Sequence, residues 1–416
     1  MVLKKKNKSS VSPDLVLAPY RVPLCNYGPV IEKIKQVLRK KKITATVELG
    51  GSVAKGTFLK PYDVDIFVRF KKKVDSEVLA KLLPPLFGKV VRVHGSRDYF
   101  QFSHQGHQYE IVPVLHIQKP QEAENITDVS YFHVQWVHQH LKNPDDARLA
   151  KLFAHAQGVY GAESYVNGFS GYVLEVLTIH YGGFAELMAA ASYWKPQTIL
   201  DPAQHYKSQK DILLALNAAK TQSPLIVVDP VQKERNAAAA LSLEMFSRFV
   251  AAARLYVHQP SPRFFVPQKF SSQELKQRVK QYGLNLTLVQ FTLLLEKKDI
   301  ALTKALAAFH QFQKQIVQYD FTLVDSNYER DHDLLWFLTF PHELSKYKKQ
   351  QGPELWVKEQ RLVEFREQHP DAFLEQDRLV ALVPRKYRTI KSLFAALVKK
   401  DEIRKRIAKI RVKAYL

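Results

Sequence analysis

Asp63 and Asp65 stand two residues apart in Tyr62-Asp-Val-Asp-Ile-Phe-Val-Arg-Phe70. The apolar residues that follow favour a strand, and alternate side chains of a strand share one face. Two carboxylates roughly 6–7 Å apart along such a face repel each other unless a cation lies between them. Hard divalent ions of the Mg²⁺ kind are held by a few carboxylates together with substrate phosphate oxygens, so the pair points to metal-assisted chemistry on a phosphate. An isolated Asp-x-Asp is more often a solvent-facing stripe on a half-buried strand.

This pair has company upstream. Gly50-Gly-Ser-Val-Ala-Lys55 follows the strand-like Val47 to Leu49 and can open a helical turn. Gly51 lets the backbone approach a triphosphate, Ser52 adds a hydroxyl beside free N–H groups, and Lys55 lies one turn further on. A strand, Gly-Ser, a turn and then Asp-x-Asp on the next strand is far more specific than any of its parts.

The elements that must hold these residues read as a mixed α/β region ending near residue 142. A helix opened by Pro29 carries Val30, Ile31, Ile34, Val37 and Leu38 on one face. Strand-like runs follow at Thr44 to Leu49, Val64 to Phe70, Val90 to Val93, Tyr99 to Phe102 and Tyr109 to Ile117, with a helix over Ser76 to Leu83. From about 145 to 257 the pattern is helical, longest over Phe169 to Tyr181 and Asn236 to Val257. Pro260-Ser-Pro-Arg-Phe-Phe-Val-Pro267 reads as a linker. Beyond it, strands at Leu286 to Leu295, Leu334 to Phe340 and Leu379 to Val383 alternate with helices over Ile300 to Tyr319, Leu355 to Glu367 and Ile390 to Val398.

Composition narrows the partner. Sixty-two Lys and Arg against forty Asp and Glu give the 416 residues a formal net charge of +22, which calls for a polyanion. From Arg385 to Leu416 twelve basic residues face two acids. Ile403, Ile407 and Ile410 recur there at helical spacing, predicting an amphipathic helix whose basic side meets nucleic-acid phosphates. Its apolar stripe holds no Trp or Phe, which argues against a membrane surface. Residues 1 to about 12 read as a disordered basic arm. Cys25 is the one cysteine, excluding an intramolecular disulfide framework and a Cys-based zinc site. No apolar run reaches the ~20 residues of a membrane span, and the basic N-terminus lacks the apolar core of a secretory signal. The expectation is an intracellular soluble protein.

The Gly-Ser and Asp-x-Asp segment resembles the nucleotidyltransferase superfamily of polymerase β-like enzymes. Three further segments narrow the likeness: Phe153-Ala-His-Ala-Gln-Gly-Val-Tyr-Gly-Ala-Glu163, Gly168-Phe-Ser-Gly-Tyr-Val-Leu-Glu175 and Val228-Asp-Pro-Val-Gln-Lys-Glu-Arg-Asn-Ala-Ala-Ala-Ala-Leu-Ser242. In this order and spacing, from about residue 15 to 257, they are similar to the conserved blocks of archaeal-type (class I) CCA-adding enzymes, CTP/ATP:tRNA nucleotidyltransferases.

The resemblance implies an α+β multidomain protein: a polymerase β-like nucleotidyltransferase head with a mixed sheet over 1–142, a helical neck over 143–258, and an α+β body and tail over 259–416 that bind tRNA. It implies a third carboxylate on a neighbouring strand just before Val-Val-Pro; the matching stretch here is His107-Gln-Tyr-Glu-Ile-Val-Pro-Val114, where Glu110 stands in place of the usual aspartate. Asp63, Asp65 and Glu110 would then hold two Mg²⁺ ions, one on the triphosphate and one at the tRNA 3′-hydroxyl. By the same likeness Gly51, Ser52, Lys55, Lys151 and Tyr160 bind the triphosphate of ATP or CTP, Ser130 and His133 line the nucleotide pocket, and Arg235 helps read the base. Lys55 replaces a customary arginine and loses its bidentate fork. Asn236 is expected to cap the helix that follows.

The implied reaction adds CCA to tRNA 3′ ends without a nucleic-acid template and releases pyrophosphate, in the cytoplasm, with no membrane and with a homodimer left open. Two other readings compete: an A-adding or poly(A)-type polymerase, and a non-catalytic RNA-binding protein on a degenerate scaffold. His104-Gln-Gly-His107 reads as a hairpin loop rather than a metal site, and Asp331-His-Asp333 as a polar strand entry. Trp336, Phe337 and Phe340 read as core.

Overall fold

The computed structural model describes residues 11–72, 76–95, 97–267 and 270–415. All but the last two residues of the expected N-terminal arm lie outside the described residues. The chain divides into two compact units, Met1–Gln268 and Lys269–Leu416.

The first unit begins with a five-stranded sheet backed by a helix. Helix α1 (Gly28–Lys40) starts at Gly-Pro, where the N–H that proline lacks has no helical partner anyway. Its Val30, Ile34 and Leu38, four residues apart, are buried on the sheet. The strands are β1 (Ala45–Leu49), β2 (Asp63–Phe70), β3 (Val91–Val93), β4 (Tyr99–His104) and β5 (His107–Leu115), in the order β1-β2-β5-β4-β3. Only β2 and β5 run parallel; the other pairs are antiparallel. On β2, Val64, Ile66, Val68 and Phe70 enter the core, so the pleat turns Asp63 and Asp65 to the opposite face. His104 pairs with His107 across the β4–β5 hairpin, as the Gly-containing connection suggests.

Helices then pack around an aromatic core. These are α3 (Ser130–His140), α4 (Pro144–Ala156), α5 (Gly171–Tyr181), a short helix Phe184–Ala191 and α6 (Leu243–His258), with two short parallel strands, β6 (Thr198–Leu200) and β7 (Leu225–Val227). Phe153, Phe169, Leu174 and Phe249 are fully buried there. The stretch 260–267 is not a free linker. It forms a 3₁₀ turn, Pro262–Phe265, whose Phe264 and Phe265 are buried against Phe153 and Tyr256. Burying two such rings is worth roughly 2–3 kcal/mol each, which overrides what the prolines suggest. The helix expected from Asn236 starts instead at Leu243, capped by Ser242 accepting from the Met245 N–H at 3.3 Å. Asn236 is buried and staples a loop, its Oδ1 accepting from Val227 N (3.0 Å) and Ala238 N (2.9 Å).

The second unit follows a β-α-β-β-α-β plan. Helix α7 (Ser272–Tyr282) precedes β8 (Asn285–Thr292), α8 (Lys298–Gln318), β9 (Thr322–Glu329) and β10 (Leu334–Phe340). A three-stranded sheet of β11 (Tyr347–Glu354), β12 (Phe373–Glu375) and β13 (Arg378–Pro384), with a helix over Glu359–Gln368, is inserted before α9 (Ile390–Leu397) and β14 (Ala408–Tyr415). The main sheet has the order β14-β8-β10-β9 and is antiparallel throughout. Phe337 of β10 packs against Phe312 of α8 and Phe394 of α9, whose rings stack on each other.

The basic end is therefore a strand, not an amphipathic helix. Past α9, helix forms among the described residues only over Asp401–Arg404, and Ile403 and Ile407 are buried as the chain turns into β14. The reason is a period of two in Lys409-Ile-Arg-Val-Lys413, with β-branched residues alternating with cations, on a strand that covers the side of β8 not taken by β10. Trp336 and Phe337 are core as expected, but Phe340 is about half exposed at the strand end. Among the described residues no helix is long and apolar enough to cross a membrane.

Candidate active site

The parallel pairing of β2 with β5 sets Asp65 directly opposite Glu110 and Asp63 opposite Gln108. The antiparallel β4 adds Gln101 opposite Glu110, and Gln101 Nε2 donates to Glu110 Oε1 at 2.5 Å. Laterally paired residues share a face, so Asp65, Glu110 and Gln101 form one row across three strands. Withdrawal from water, then the charges of Glu110 and Asp63, push Asp65 up to about 7 against the pull of Lys55. Burial likewise raises Asp63. Glu110 is raised by burial and by Asp63, with the Gln101 hydrogen bond opposing.

The Gly-Ser turn is where the sequence puts it. It forms α2 (Gly51–Ala54), one turn directly after β1, and Gly50 N donates to the Asp65 carbonyl at 2.8 Å. Gly51 has φ +57°, and a Cβ there would lie 1.6 Å from Asp65 Oδ2. Any side chain would collide with the carboxylate, which packs directly against the glycine. Ser52 sits on the same turn, and its carbonyl accepts from Thr57 N at 2.9 Å.

Behind this turn lies a buried ion cluster that the sequence reading did not foresee. Glu175, on α5, is fully buried and accepts from Lys55 Nζ at 2.6 Å, from Lys151 Nζ at 2.7 Å and from the Thr57 hydroxyl. Lys151, on α4, also donates to Thr57 Oγ1 at 2.9 Å. Burial alone would raise the Glu175 carboxyl, but Lys151 and Lys55 outweigh it and hold it at about 2. Burial pulls the Lys151 ammonium down, against Glu175. The two expected phosphate ligands are thus brought together, with their charges turned onto one carboxylate. Tyr160 stacks on His155 (3.8 Å between centroids), and burial with Glu175 and Glu163 nearby pushes its hydroxyl up to about 12, so it stays a donor.

A second buried carboxylate gathers the remaining residues. Asp229, beyond β7, takes the Tyr172 hydroxyl at 3.1 Å and an Arg235 guanidinium N–H. His133 Nε2 on α3 lies 3.2 Å from the same carboxylate, a contact without the alignment of a full hydrogen bond. The His133 ring lies over Tyr172, with centroids 4.1 Å apart, and Lys55 Nζ is 5.8 Å from the centre of that ring. Burial works against ionisation of Asp229, yet His133, Arg235 and backbone N–H groups hold it well below the usual carboxylate range. Ser130 opens α3 one turn before His133.

Glu175 and Asp229 both stood in the segments that carry the family likeness. Their signal was an acid in an apolar helix (Leu174-Glu-Val-Leu177) and one beside a strand end, each of which needs a partner if buried.

The donor set suits a hard cation together with phosphate. Among the described residues no three Asp, Glu, His or Cys side chains converge closely enough to hold an ion by themselves. Magnesium binds through one or two carboxylates and takes its other oxygens from water and substrate, and Asp65 and Glu110, paired across β2 and β5 with Asp63 beside them, are acids of the right kind to hold it.

Comparison with known proteins agrees along the chain. Residues 31–127 match the family described as "Nucleotidyltransferase domain", 145–266 "tRNA nucleotidyltransferase, second domain", and 299–413 "CCA-adding enzyme, C-terminal domain". A CCA-adding enzyme of Nanoarchaeum equitans is 34% identical over 367 residues, covering 85% of this chain and 87% of that protein. One from Methanopyrus kandleri is 30% identical over 86% of this chain and 79% of its own length. One from Methanothermobacter thermautotrophicus is 28% identical over 90% and 83%.

Proposed function

Since this chain belongs to the CCA-adding enzyme family, we propose that it extends tRNA 3′ ends with CCA, using CTP and ATP and releasing pyrophosphate. The observation that carries this reading is the acid row of Asp65 and Glu110 with Asp63 beside it, fronted by the Gly51 turn. Asp63 and Asp65 would hold two Mg²⁺ ions, one shared with Glu110. Such a pair supplies a lowered pKa at the 3′-hydroxyl and neutralises charge at the α-phosphate and leaving pyrophosphate.

The chain's own groups do the rest. Gly51 and Ser52 offer backbone N–H groups and a hydroxyl to the triphosphate. Lys55 and Lys151 bring positive charge there, so incoming phosphate oxygens compete with Glu175 for Lys55. Tyr160 keeps its proton and donates. Ser130 and His133 line the pocket and Arg235 faces the base. All these residues come from the first unit of one chain. The cations of β14 in the second unit would meet phosphates of the tRNA acceptor stem and elbow, and duplex RNA is read mainly by shape and backbone. A cytoplasmic location goes with this substrate.

The test is primer extension on a tRNA lacking its last three nucleotides, with Mg²⁺ and CTP, ATP or both, resolved to one nucleotide. Two Cs from CTP alone and a stop at CCA with both are expected. Addition of A only, to an end already carrying CC, would make the protein a specialised A-adder. Asp65→Asn should abolish addition while tRNA binding persists, and near-normal turnover in that variant would overturn the site assignment.

A further inference from the structure

Asp229 closes its own loop as well as holding the side chains of Arg235 in that loop and of Tyr172 and His133 from two helices. Its N–H donates to the Arg235 carbonyl at 2.9 Å, its Oδ1 accepts from Val231 N at 2.8 Å, and an antiparallel bridge joins Val228 to Asn236. The segment 229–235 is thus pinned at both ends. Arg235 is anchored twice over, by its backbone in this loop and by its guanidinium on the Asp229 carboxylate. Asp229 itself has no solvent exposure, whereas the Arg235 side chain is 33% exposed. One guanidinium N–H is spent on the buried carboxylate, and the group has further donors on a side chain that is partly open to solvent.

We propose that Asp229 is a positioning residue for nucleotide selection, locking Arg235 in one orientation so that it accepts C and A and rejects U and G. The proposal rests on the reading that Arg235 faces the base. An arginine carries donors and no acceptor. Cytosine N3 and adenine N1 are acceptors at the same place on the pairing edge, whereas uracil N3 and guanine N1 carry hydrogens there. A guanidinium held in one position satisfies the first pair and meets a donor in the second, and a site built around a hydrogen bond strongly rejects the base that cannot make it. Freed from Asp229, the same guanidinium can swing to the O2 or O4 of uracil or the O6 of guanine. Loss of the lock should therefore relax selectivity more than it slows addition. Tyr172 and His133 buttress the carboxylate from α5 and α3, so the lock spans three elements.

The experiment measures kcat/KM for addition of the first nucleotide with CTP and with UTP on the truncated tRNA, using the full chain. Asp229→Asn should lower the CTP/UTP ratio about tenfold or more while kcat at saturating CTP stays within about threefold. In an Arg235→Ala background, Asp229→Asn should change the ratio no further, because both act through one contact. Tyr172→Phe leaves the loop's hydrogen bonds in place and should lower the ratio by a few-fold; it decides the matter if Asp229→Asn does not fold. A reduced melting temperature with an unchanged ratio would overturn the proposal, leaving Asp229 a loop staple. If Arg235→Ala alone keeps the ratio, the proposal falls with the reading of Arg235. If the parent protein adds no nucleotide, both fall with the function itself.

Discussion

Glu175→Gln removes one negative charge from a point on which two ammonium groups and a hydroxyl converge. The glutamine fits the space, but Lys151, only 4% exposed, is left beside Lys55 with no countercharge. Removing one member of a buried ion pair costs about 3–5 kcal/mol. The acid strength of Glu175 gives a similar figure. Its carboxyl is held at about 2 against an ordinary 4.5, a difference on the order of 3 kcal/mol. Because the folded value is depressed, this stability is complete above 4.5 and is lost as pH falls through about 2. Thermal unfolding followed by circular dichroism at pH 7 should therefore show the variant melting roughly 6–15 °C below the parent. The gap should narrow as both proteins are taken from pH 4.5 towards 2. Lys151→Met in the variant background should recover part of the loss, since removing both charges costs less than removing one. A melting point within about 1 °C of the parent at pH 7, or a gap unchanged at pH 2, would refute the assignment of Glu175 as the countercharge that holds Lys55 and Lys151.

Two further outcomes follow from the geometry. Gly51→Ala should reduce nucleotide addition by about a hundredfold or more, because its Cβ would lie 1.6 Å from Asp65 Oδ2 and its backbone sits at φ +57°; single-turnover rates at saturating CTP would check this. Truncation after Pro384 cannot isolate the basic tail, because it would remove the buried Leu393, Phe394 and Leu397 of α9. Lys409, Arg411 and Lys413, exposed on β14, can instead be changed together to glutamine. The slope of log affinity for tRNA against log salt should then flatten by about 2–3, and an unchanged slope would mean that these cations meet no phosphate.

The catalytic half of the protein was legible because its signals are local. Asp63, Asp65 and Gly51 announce themselves by spacing on a strand and a turn, and each is where pattern alone puts it. What escaped was set by distant partners. Glu175 looks like any acid in a helix until Lys55 and Lys151 arrive from 120 and 24 residues away. Ile403, Ile407 and Ile410 keep a helical spacing while Ile410 and Val412 alternate with cations at a strand period, and the pairing partner β8 decides for the strand at residue 408. Phe264 and Phe265 sit among prolines that read as a linker, yet the core they fill was out of sight in the sequence.

The parallel ladder between β2 and β5 works as a fixed gauge. Adjacent strands lie about 4.8 Å apart whatever their side chains, so the backbone positions from which Asp65 and Glu110 extend are not adjustable. Only the length of each acidic arm can vary. A glutamate at position 110 lengthens one arm by a methylene, and Gln101, one strand further along, holds that arm by its end. The extra reach is thus tethered at its end. In such a design, exchanging Glu110 for aspartate changes where the carboxylate is held rather than whether one is present, while a one-residue slip of β5 would bring Tyr109 or Ile111 to the place and leave no acid there at all.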